Sequence, residues 1–386
     1  MIRPCPICLS EEKNNIFKQN FGSNAIAIMD GYDVVACKNC GFVYSDNIPG
    51  QDEFNKYYEV MSKWEFNYKD GVVSDDYQKY FKKIVDFLVP YLTNKNVNIM
   101  DIGCSTGCLL NMFKEKGYSN LLGVDPSSAC VKTVKELYNI NAVASTISNL
   151  SVDKKFDVII LSAVLEHLVD FSGSMNKIRS LLNDEGLLFV EVPDATRFDS
   201  YIFTPFQQFS IEHIDYFSDL SLKNLLAKFG FEVIEMQKNE NTVNQTIDPD
   251  IFVLSRISNK LNHKIVKDDI TEKKLGDYIS KCREMDVKVN KFLNETLAKN
   301  DKIIIWGVGT HTQRLVGAGL DLSKVLYFVD SNSRYRGKKI NGVEVKSPQD
   351  IKEDTPILVS TFSYQEEVVR QIKDVLKLRN EVIKIY

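Results

Sequence analysis

The chain has 386 residues, of which 44% are hydrophobic and 26% charged, with a net charge of −4 and a pI of about 5.8. These values are ordinary for a globular protein of two or three domains, and they show no basic excess of the kind that nucleic-acid binding needs. No apolar run reaches the roughly 18 residues of a membrane span, and the opening residues MIRPCPIC lack the apolar core of a secretory signal. We therefore expect a cytoplasmic protein that binds neither nucleic acid nor a membrane.

Two CxxC pairs stand near the start of the chain, Cys5 with Cys8 and Cys37 with Cys40. Four thiolates form a tetrahedral ligand set for Zn²⁺, and because four cysteines close the coordination sphere, we expect a structural site. A module of about 45 residues often needs such a metal to fold. The alternative is that the four thiols are unrelated.

Residues 51–92 are rich in aromatic side chains and have a mostly helical pattern. Tyr57, Tyr58 and Trp64 are candidates for a lid over a ligand pocket. An aromatic stripe at helical spacing is also typical of a packed core, so core packing is the alternative.

From residue 97 onward, short apolar runs alternate with amphipathic stretches, which predicts a parallel, doubly wound α/β sheet. A polar stretch with a helical pattern follows at 256–300, and we predict that it is a linker. A second, smaller Rossmann-like α/β unit begins near residue 301. The predicted strands cover 97–102, 120–124, 141–144, 156–161, 187–192, 231–237 and 251–254, then 303–306, 325–329 and 357–360. The predicted divisions are 1–85 (zinc-binding module and helical lid), 86–255 (the large α/β domain), 256–300 (helical linker) and 301–386 (the C-terminal α/β domain).

The first strand of the large domain runs into the glycine-rich segment DIGCSTG at 101–107. Glycines allow a positive φ and a close approach of backbone to ligand, and open parallel sheets bind ligands beyond the carboxyl ends of their strands. Asp125 ends the second strand, where its carboxylate can accept hydrogen bonds from two ribose hydroxyls. A dinucleotide fits less well, because its fingerprint needs glycine where Ser105 and Cys108 stand, and because Asp101 suits an ammonium group better than a pyrophosphate. A plain strand-to-helix turn is the remaining alternative.

These residues resemble class I S-adenosylmethionine (SAM)-dependent methyltransferases over roughly 85–255. The resemblance includes the turn at 101–107, Asp125, the strand FDVII at 156–160 and the segment LEHLVD at 165–170. It implies SAM as the cofactor. Two departures are Ser105, where many members have glycine, and the segment ASTI at 144–147, which lacks the acidic residue that usually contacts adenine. The implied cofactor-binding residues are Asp101, Gly103, Ser105, Gly107, Asp125, Glu166 and His167.

Methyl transfer from a sulfonium is an in-line displacement, for which the protein aligns the acceptor and, for an alcohol or a carbon acid, removes a proton. Glu212 and His213 lie in the loop after the fifth strand, where a base facing the acceptor is expected. Histidine titrates near neutrality, so His213 is the candidate general base, with Glu212 beside it. A role for His213 in loop packing is the alternative.

The order of cysteine pairs, SAM domain, Glu-His loop and C-terminal α/β unit resembles the nucleotide-sugar C-methyltransferases over most of the chain. Members of that family methylate a carbon next to a keto group on a nucleotide-linked deoxysugar, and the resemblance implies such a substrate. Their loop reads Tyr-His-Glu-His; Glu212 and His213 match its second half, whereas Ser210 and Ile211 replace the first. N- or O-methylation of another small metabolite, an RNA or protein methyltransferase, and a non-catalytic SAM-binding scaffold are the other hypotheses, and the oligomeric state is open.

The C-terminal unit has a glycine pair, Gly307 and Gly309, at a strand-to-helix turn. Such turns bind anions, so one interpretation is that this unit covers the acceptor and contacts its nucleotide or phosphate. A packing domain without a ligand is the alternative.

Overall fold

The computed structural model describes residues 2–23, 26–60, 73–259 and 264–386. These residues form three sheets of four, seven and six strands, with helices packed against the two larger ones. Trp64, one of the lid candidates, lies outside the described residues. No helix within the described ranges combines the length and the apolar character needed to cross a membrane.

Strands and helices follow one another along the described residues with these bounds. The strands are β1 (Lys13–Asn20), β2 (Gly31–Cys37), β3 (Val43–Asp46), β4 (Ile99–Ile102), β5 (Leu121–Asp125), β6 (Asn141–Ala144), β7 (Phe156–Ser162), β8 (Leu182–Pro193), β9 (Asp215–Tyr216), β10 (Phe231–Val243), β11 (Thr246–Ile257), β12 (Ile303–Trp306), β13 (Val325–Val329), β14 (Lys339–Ile340), β15 (Val343–Lys346), β16 (Ile357–Val359) and β17 (Val382–Lys384). The helices are α1 (Gln51–Val60), α2 (Asp75–Leu88), α3 (Cys108–Glu115), α4 (Ser128–Tyr138), α5 (Phe171–Leu181), α6 (Asp219–Lys228), α7 (Thr271–Lys299), α8 (Thr310–Gly317) and α9 (Gln365–Arg370).

The large sheet has the strand order β10-β11-β8-β7-β4-β5-β6. Strands β4 to β8 are parallel, as expected from strands that alternate with helices, and the predicted doubly wound α/β fold is confirmed. The order reverses at β4, next to which β5 and β7 lie on opposite sides. Ligands bind at such a switch point, so the topology places a site at the carboxyl ends of β4, β5 and β7.

One strand departs from the parallel arrangement. Strand β11 runs antiparallel to both β10 and β8, so the prediction of a wholly parallel sheet is wrong at this edge. The reason is the connection: Asn244 and Gln245 both take positive φ values, 48° and 69°, and form a two-residue turn that can join only antiparallel strands. The hairpin also makes β10 and β11 much longer than the predicted 231–237 and 251–254.

The N-terminal sheet combines distant parts of the chain. Strands β1, β2 and β3 form an antiparallel meander, and β9 adds a fourth strand from the middle of the sequence. Since β9 begins two residues after His213, the loop that carries the predicted base enters the N-terminal sheet directly.

The C-terminal sheet has the order β14-β15-β13-β12-β16-β17, and its strands are parallel apart from the edge strand β14. Helix α7, in the stretch predicted to be a linker, belongs to two cores. Its first half buries Leu275 and Tyr278 against the N-terminal module and the loop before β9, whereas its second half buries Leu293 and Leu297 in the C-terminal core. The helix therefore joins the N-terminal module to the C-terminal domain by burial of apolar surface. The domain boundaries given above stay predictions.

Candidate functional site

A cavity of about 850 Å³ opens at the carboxyl ends of the central strands of the large sheet. Helices α1 and α2 contribute Asn55 and Tyr80 to its wall, and the C-terminal domain contributes Tyr364. Of the nine residues predicted to bind the cofactor or to act in catalysis, Gly107 alone is absent from the wall; it precedes helix α3 instead. The predicted residues that line the cavity are Asp101, Gly103, Ser105, Asp125, Glu166, His167, Glu212 and His213.

The turn after β4 is shaped by its glycine. Gly103 has a φ of +80°, and a Cβ there would stand 2.5 Å from Cγ2 of Val164. Any side chain at this position would therefore both strain the backbone and collide with the neighbouring loop. Ser105 also has a positive φ, 50°, and its N–H donates to Oδ2 of Asp125 at 2.9 Å. The other oxygen of Asp125 accepts from the Ser127 N–H, so the carboxylate is held in a fixed orientation.

Asp101 is 3% exposed at the end of β4. Burial, and then repulsion from Asp125, raises the pKa of Asp101 well above its usual range. A cationic ligand group beside Asp101 would offset this cost and favour the charged carboxylate. The hydroxyls of Ser105 and Thr106 are buried without a hydrogen-bond partner among the described residues, and because Ser105 lines the cavity, its hydroxyl is available to a ligand. The turn thus has the charge and the polar groups that suit a ligand with an ammonium group.

Two histidines of the cavity wall lie close to each other. The rings of His167 and His213 lie 5.0 Å apart between centroids, with their planes at 70°. Nδ1 of His167 is 2.8 Å from the backbone oxygen of Glu212. A carbonyl oxygen only accepts, so Nδ1 carries the proton and Nε2 holds the lone pair when the ring is neutral. Nε2 lies 3.7 Å from Oε1 of Glu166, which is 1% exposed.

The loop before β9 is held by hydrogen bonds inside the loop and by contacts from helix α1. The hydroxyl of Ser210 accepts from the backbone N–H groups of Glu212 and His213, at 3.3 and 3.1 Å. Tyr57 donates its hydroxyl to Oε1 of Glu212 at 3.2 Å, and Tyr58 packs edge-on to His167 at 5.9 Å. The aromatic pair of α1 therefore contacts the Glu-His loop, and the Tyr58 hydroxyl has no hydrogen-bond partner within the described part of the chain.

Comparison with protein families identifies a methyltransferase domain in the central part of the chain. Residues 74–236 match the family model for a methyltransferase domain, and residues 299–383 match a model described as C2185-like, N-terminal. The matched methyltransferase region contains the glycine turn, Asp125 and both cavity histidines. This domain belongs to the class I SAM-dependent methyltransferases.

Individual relatives are more distant. The C-methyltransferase NovU of Streptomyces niveus is 20% identical over 370 residues, which cover 89% of this chain and 83% of that protein. A tRNA U34 carboxymethyltransferase of Aliarcobacter butzleri is 25% identical over 195 residues, 48% of this chain and 59% of that protein. The aligned part of this chain covers 59% of that relative, and 40% and 66% of two other curated relatives. The crystal structure of magnesium protoporphyrin IX methyltransferase from Synechocystis PCC 6803 with bound S-adenosylhomocysteine is 16% identical and aligns with 54% of this chain and 99% of that one, at a TM-score of 0.43.

The cavity wall also has a buried acidic group that the sequence motifs do not predict. Glu191, at the end of β8, accepts hydrogen bonds from the hydroxyls of Tyr80 (2.5 Å) and Ser162 (2.9 Å). Burial raises the pKa of Glu191, although these two bonds act to lower it. Asp250 on β11 lines the cavity nearby, and burial also raises its pKa. A charged residue within the apolar run LLFVEVP was the available signal for Glu191.

The four cysteines of the CxxC pairs come together outside the cavity. Sγ of Cys5 lies 3.5 Å from that of Cys40, and Sγ of Cys8 lies 3.4 Å from that of Cys37. All four sulfurs are within 4.8 Å of one another. With Zn–S bonds of about 2.3 Å, tetrahedral ligands stand about 3.8 Å apart, so this donor set fits a zinc ion.

Proposed function

We propose that this methyltransferase transfers a methyl group from SAM to a nucleotide-linked deoxysugar or a related glycan precursor, with His213 as the general base. The observation that carries the proposal is that one cavity is lined both by the glycine turn with Asp101 and Asp125 and by the histidine pair. The similarity to NovU, which extends over 89% of this chain, supports a sugar-related acceptor.

SAM supplies a methyl group on a positively charged sulfur. Asp101 would pair with the ammonium group of the cofactor, and Asp125 would accept hydrogen bonds from its ribose hydroxyls. Gly103 gives the backbone room to approach, and Ser105 offers its free hydroxyl. Glu166 and His167 line the cavity between this turn and the acceptor side.

His213 would remove the proton from the acceptor, either from a carbon next to a keto group or from a hydroxyl. Glu212 is adjacent in the chain and is oriented by Tyr57, so its charge can stabilise the protonated ring. Ser210 fixes the backbone of both residues, in a loop that lacks the Tyr and the first His of the family's motif.

The acceptor is tested by incubating the protein with SAM and a panel of nucleotide-linked keto-deoxysugars, amino sugars and unmodified tRNA, followed by mass spectrometry. We expect a mass gain of one methyl group on a sugar nucleotide, and fragmentation then identifies the methylated atom. Methylation of tRNA alone, or no gain on any sugar nucleotide, would refute the sugar assignment. The remaining hypothesis, a SAM-binding scaffold, predicts that calorimetry detects SAM binding while no acceptor in the panel gains a methyl group.

For the N-terminal module we propose a structural zinc ion held by Cys5, Cys8, Cys37 and Cys40. Elemental analysis of protein purified without chelator should find one zinc per chain, and Cys8→Ser should lose it. His213→Asn is the control, because Glu166, His167 and His213 also bring ligand atoms within 4.8 Å of one another. Zinc that is lost with His213 and retained with Cys8→Ser would place the metal in the cavity instead.

A further inference from the structure

Arg3, near the start of the chain, lies deep in the fold. It is 5% exposed, and its guanidinium forms an ion pair with Asp215 at 2.8 Å, with the side chain of Asp215 fully buried. The same guanidinium donates to three backbone oxygens: Ser45 (2.9 Å), Ile214 (3.2 Å) and Val169 (3.4 Å). A planar guanidinium with five donors can serve several acceptors at once, and a lysine ammonium at this depth cannot reach all of them.

Two of these acceptors belong to the segments that carry the cavity histidines. Ile214 directly follows His213, and Val169 is two residues beyond His167. These segments also bond to each other, since the Ile214 N–H donates to the Glu166 oxygen at 3.0 Å. One side chain from the N-terminal module therefore contacts both histidine-bearing segments from behind the cavity wall.

Other groups of the N-terminal module hold the same loop. Gln19 donates to the backbone oxygen of Phe209, and Tyr32 donates to that of Ser210, both at 2.7 Å. The Ser45 N–H donates to the Ile214 oxygen at 2.7 Å, where β9 joins the sheet. On either side of Glu212 and His213, the loop is thus fixed by the N-terminal module.

We infer that Arg3 is a positioning residue for methyl transfer, which holds the His167 and His213 segments in the relative placement that the reaction needs. The inference rests on the proposed role of His213. It assigns the N-terminal module a part in catalysis beyond its own folding, although Arg3 itself does not line the cavity.

The test compares Arg3→Met, Arg3→Lys and Lys13→Met. Lys13 pairs with Asp46 at 2.6 Å and donates to the backbone oxygen of Arg3 at 3.1 Å, so its loss perturbs the surroundings of Arg3 without removing the guanidinium contacts. For each variant we measure the melting temperature, zinc content, SAM dissociation constant, kcat per SAM-binding molecule, and amide hydrogen exchange of peptides covering 165–170 and 208–216. In Arg3→Met we expect faster exchange in both peptides and a kcat lower by on the order of 10²-fold, with the SAM dissociation constant within about twofold.

Arg3→Lys separates positioning from stability. It keeps the charge opposite Asp215 but loses backbone contacts, so we expect its melting temperature to recover more than its kcat does. If Arg3→Met does not fold, Arg3→Lys gives the same comparison with Lys13→Met. Exchange in the two peptides equal to that of Lys13→Met, or a normal kcat despite faster exchange, would overturn the inference. If the unsubstituted protein methylates no acceptor, the proposed function fails, and the exchange data alone decide whether Arg3 holds the two segments.

Discussion

Asp101 is buried at the end of β4, and its charge depends on the group that binds beside it. Burial and the neighbouring Asp125 raise its pKa well above the usual range, so the empty site holds a proton on Asp101 more readily than an exposed aspartate would. The ammonium group of SAM favours the carboxylate, so binding should release a proton. We expect SAM affinity to rise with pH as Asp101 loses its proton, as long as the α-amino group of the ligand stays charged.

Calorimetry in buffers with different ionisation enthalpies measures this proton release directly. Asp101→Asn is the control, since it keeps the shape of the side chain and removes the titrating group. We expect weaker SAM binding in this variant and no dependence of the binding enthalpy on the buffer. A buffer-independent enthalpy in the unsubstituted protein would contradict the pairing of Asp101 with the ammonium group.

His213→Asn should separate chemistry from cofactor binding. Loss of a general base typically lowers turnover by about 10²–10⁴-fold, whereas His213 is not among the residues assigned to SAM binding. We therefore expect kcat to fall within that range and the SAM dissociation constant to change by less than about threefold. Steady-state kinetics and calorimetry on the same preparation provide both numbers. Turnover close to that of the unsubstituted protein would assign His213 to loop packing.

At the residue scale, the sequence predicts what is local in the chain. The turn at 101–107 and the Asp125 position follow from one strand-turn-helix unit and the strand after it. For Glu191 the only local signal is a charge within an apolar strand; its partner Tyr80 is 111 positions away on helix α2, so sequence spacing does not predict the contact. Sequence spacing also says nothing about the carbonyl contact that sets the tautomer of His167, since this contact depends on the tertiary fold.

Gly103→Ala tests the glycine turn as an element. The added Cβ would stand 2.5 Å from Val164, and the backbone would keep an unfavourable φ of +80°. We expect a loss of roughly 1–3 kcal/mol in the free energy of unfolding and a SAM affinity at least tenfold weaker. Gly117→Ala is the matched control: its φ is +90°, but an added Cβ there meets no atom within 4 Å. Thermal unfolding and calorimetry should show a stability loss in both variants and a binding loss in Gly103→Ala alone.

The hairpin of β10 and β11 shows the limit of periodicity at the element scale. The segment KNENTVNQTIDPD at 238–250 is polar, so apolar periodicity predicts one strand that ends at 237 and another that begins at 251. Pairing explains the extra length: each strand satisfies the backbone groups of the other from Phe231 to Ile257, and the edge position of β10 lets polar side chains face water. Backbone pairing through the hairpin, and not apolar composition, determines where these strands end.

On the scale of the whole molecule, the order of the modules follows from the sequence, but their convergence on one cavity does not. Helix α1, the large sheet and the loop at 363–364 all contribute wall residues. Linear spacing cannot predict that Tyr364 lies near the methyltransferase domain, because the chain first passes through α7 and five of the six C-terminal strands. The two cores that share α7 provide the physical connection, since tilting one part against the other would expose buried leucines.

The contribution of the C-terminal domain to the acceptor site is tested by Tyr364→Ala. Tyr364 lines the cavity from a domain that supplies none of the proposed SAM contacts, so we expect the acceptor KM to rise by about tenfold while the SAM dissociation constant stays within about twofold. Tyr91→Ala makes the same chemical change at a partly exposed position, 37% accessible, away from the cavity wall, and should leave both constants unchanged. Tyr364→Phe then separates the ring from the hydroxyl. Equal weakening of SAM and acceptor binding in Tyr364→Ala would mean that the C-terminal domain stabilises the whole cavity and does not select the acceptor.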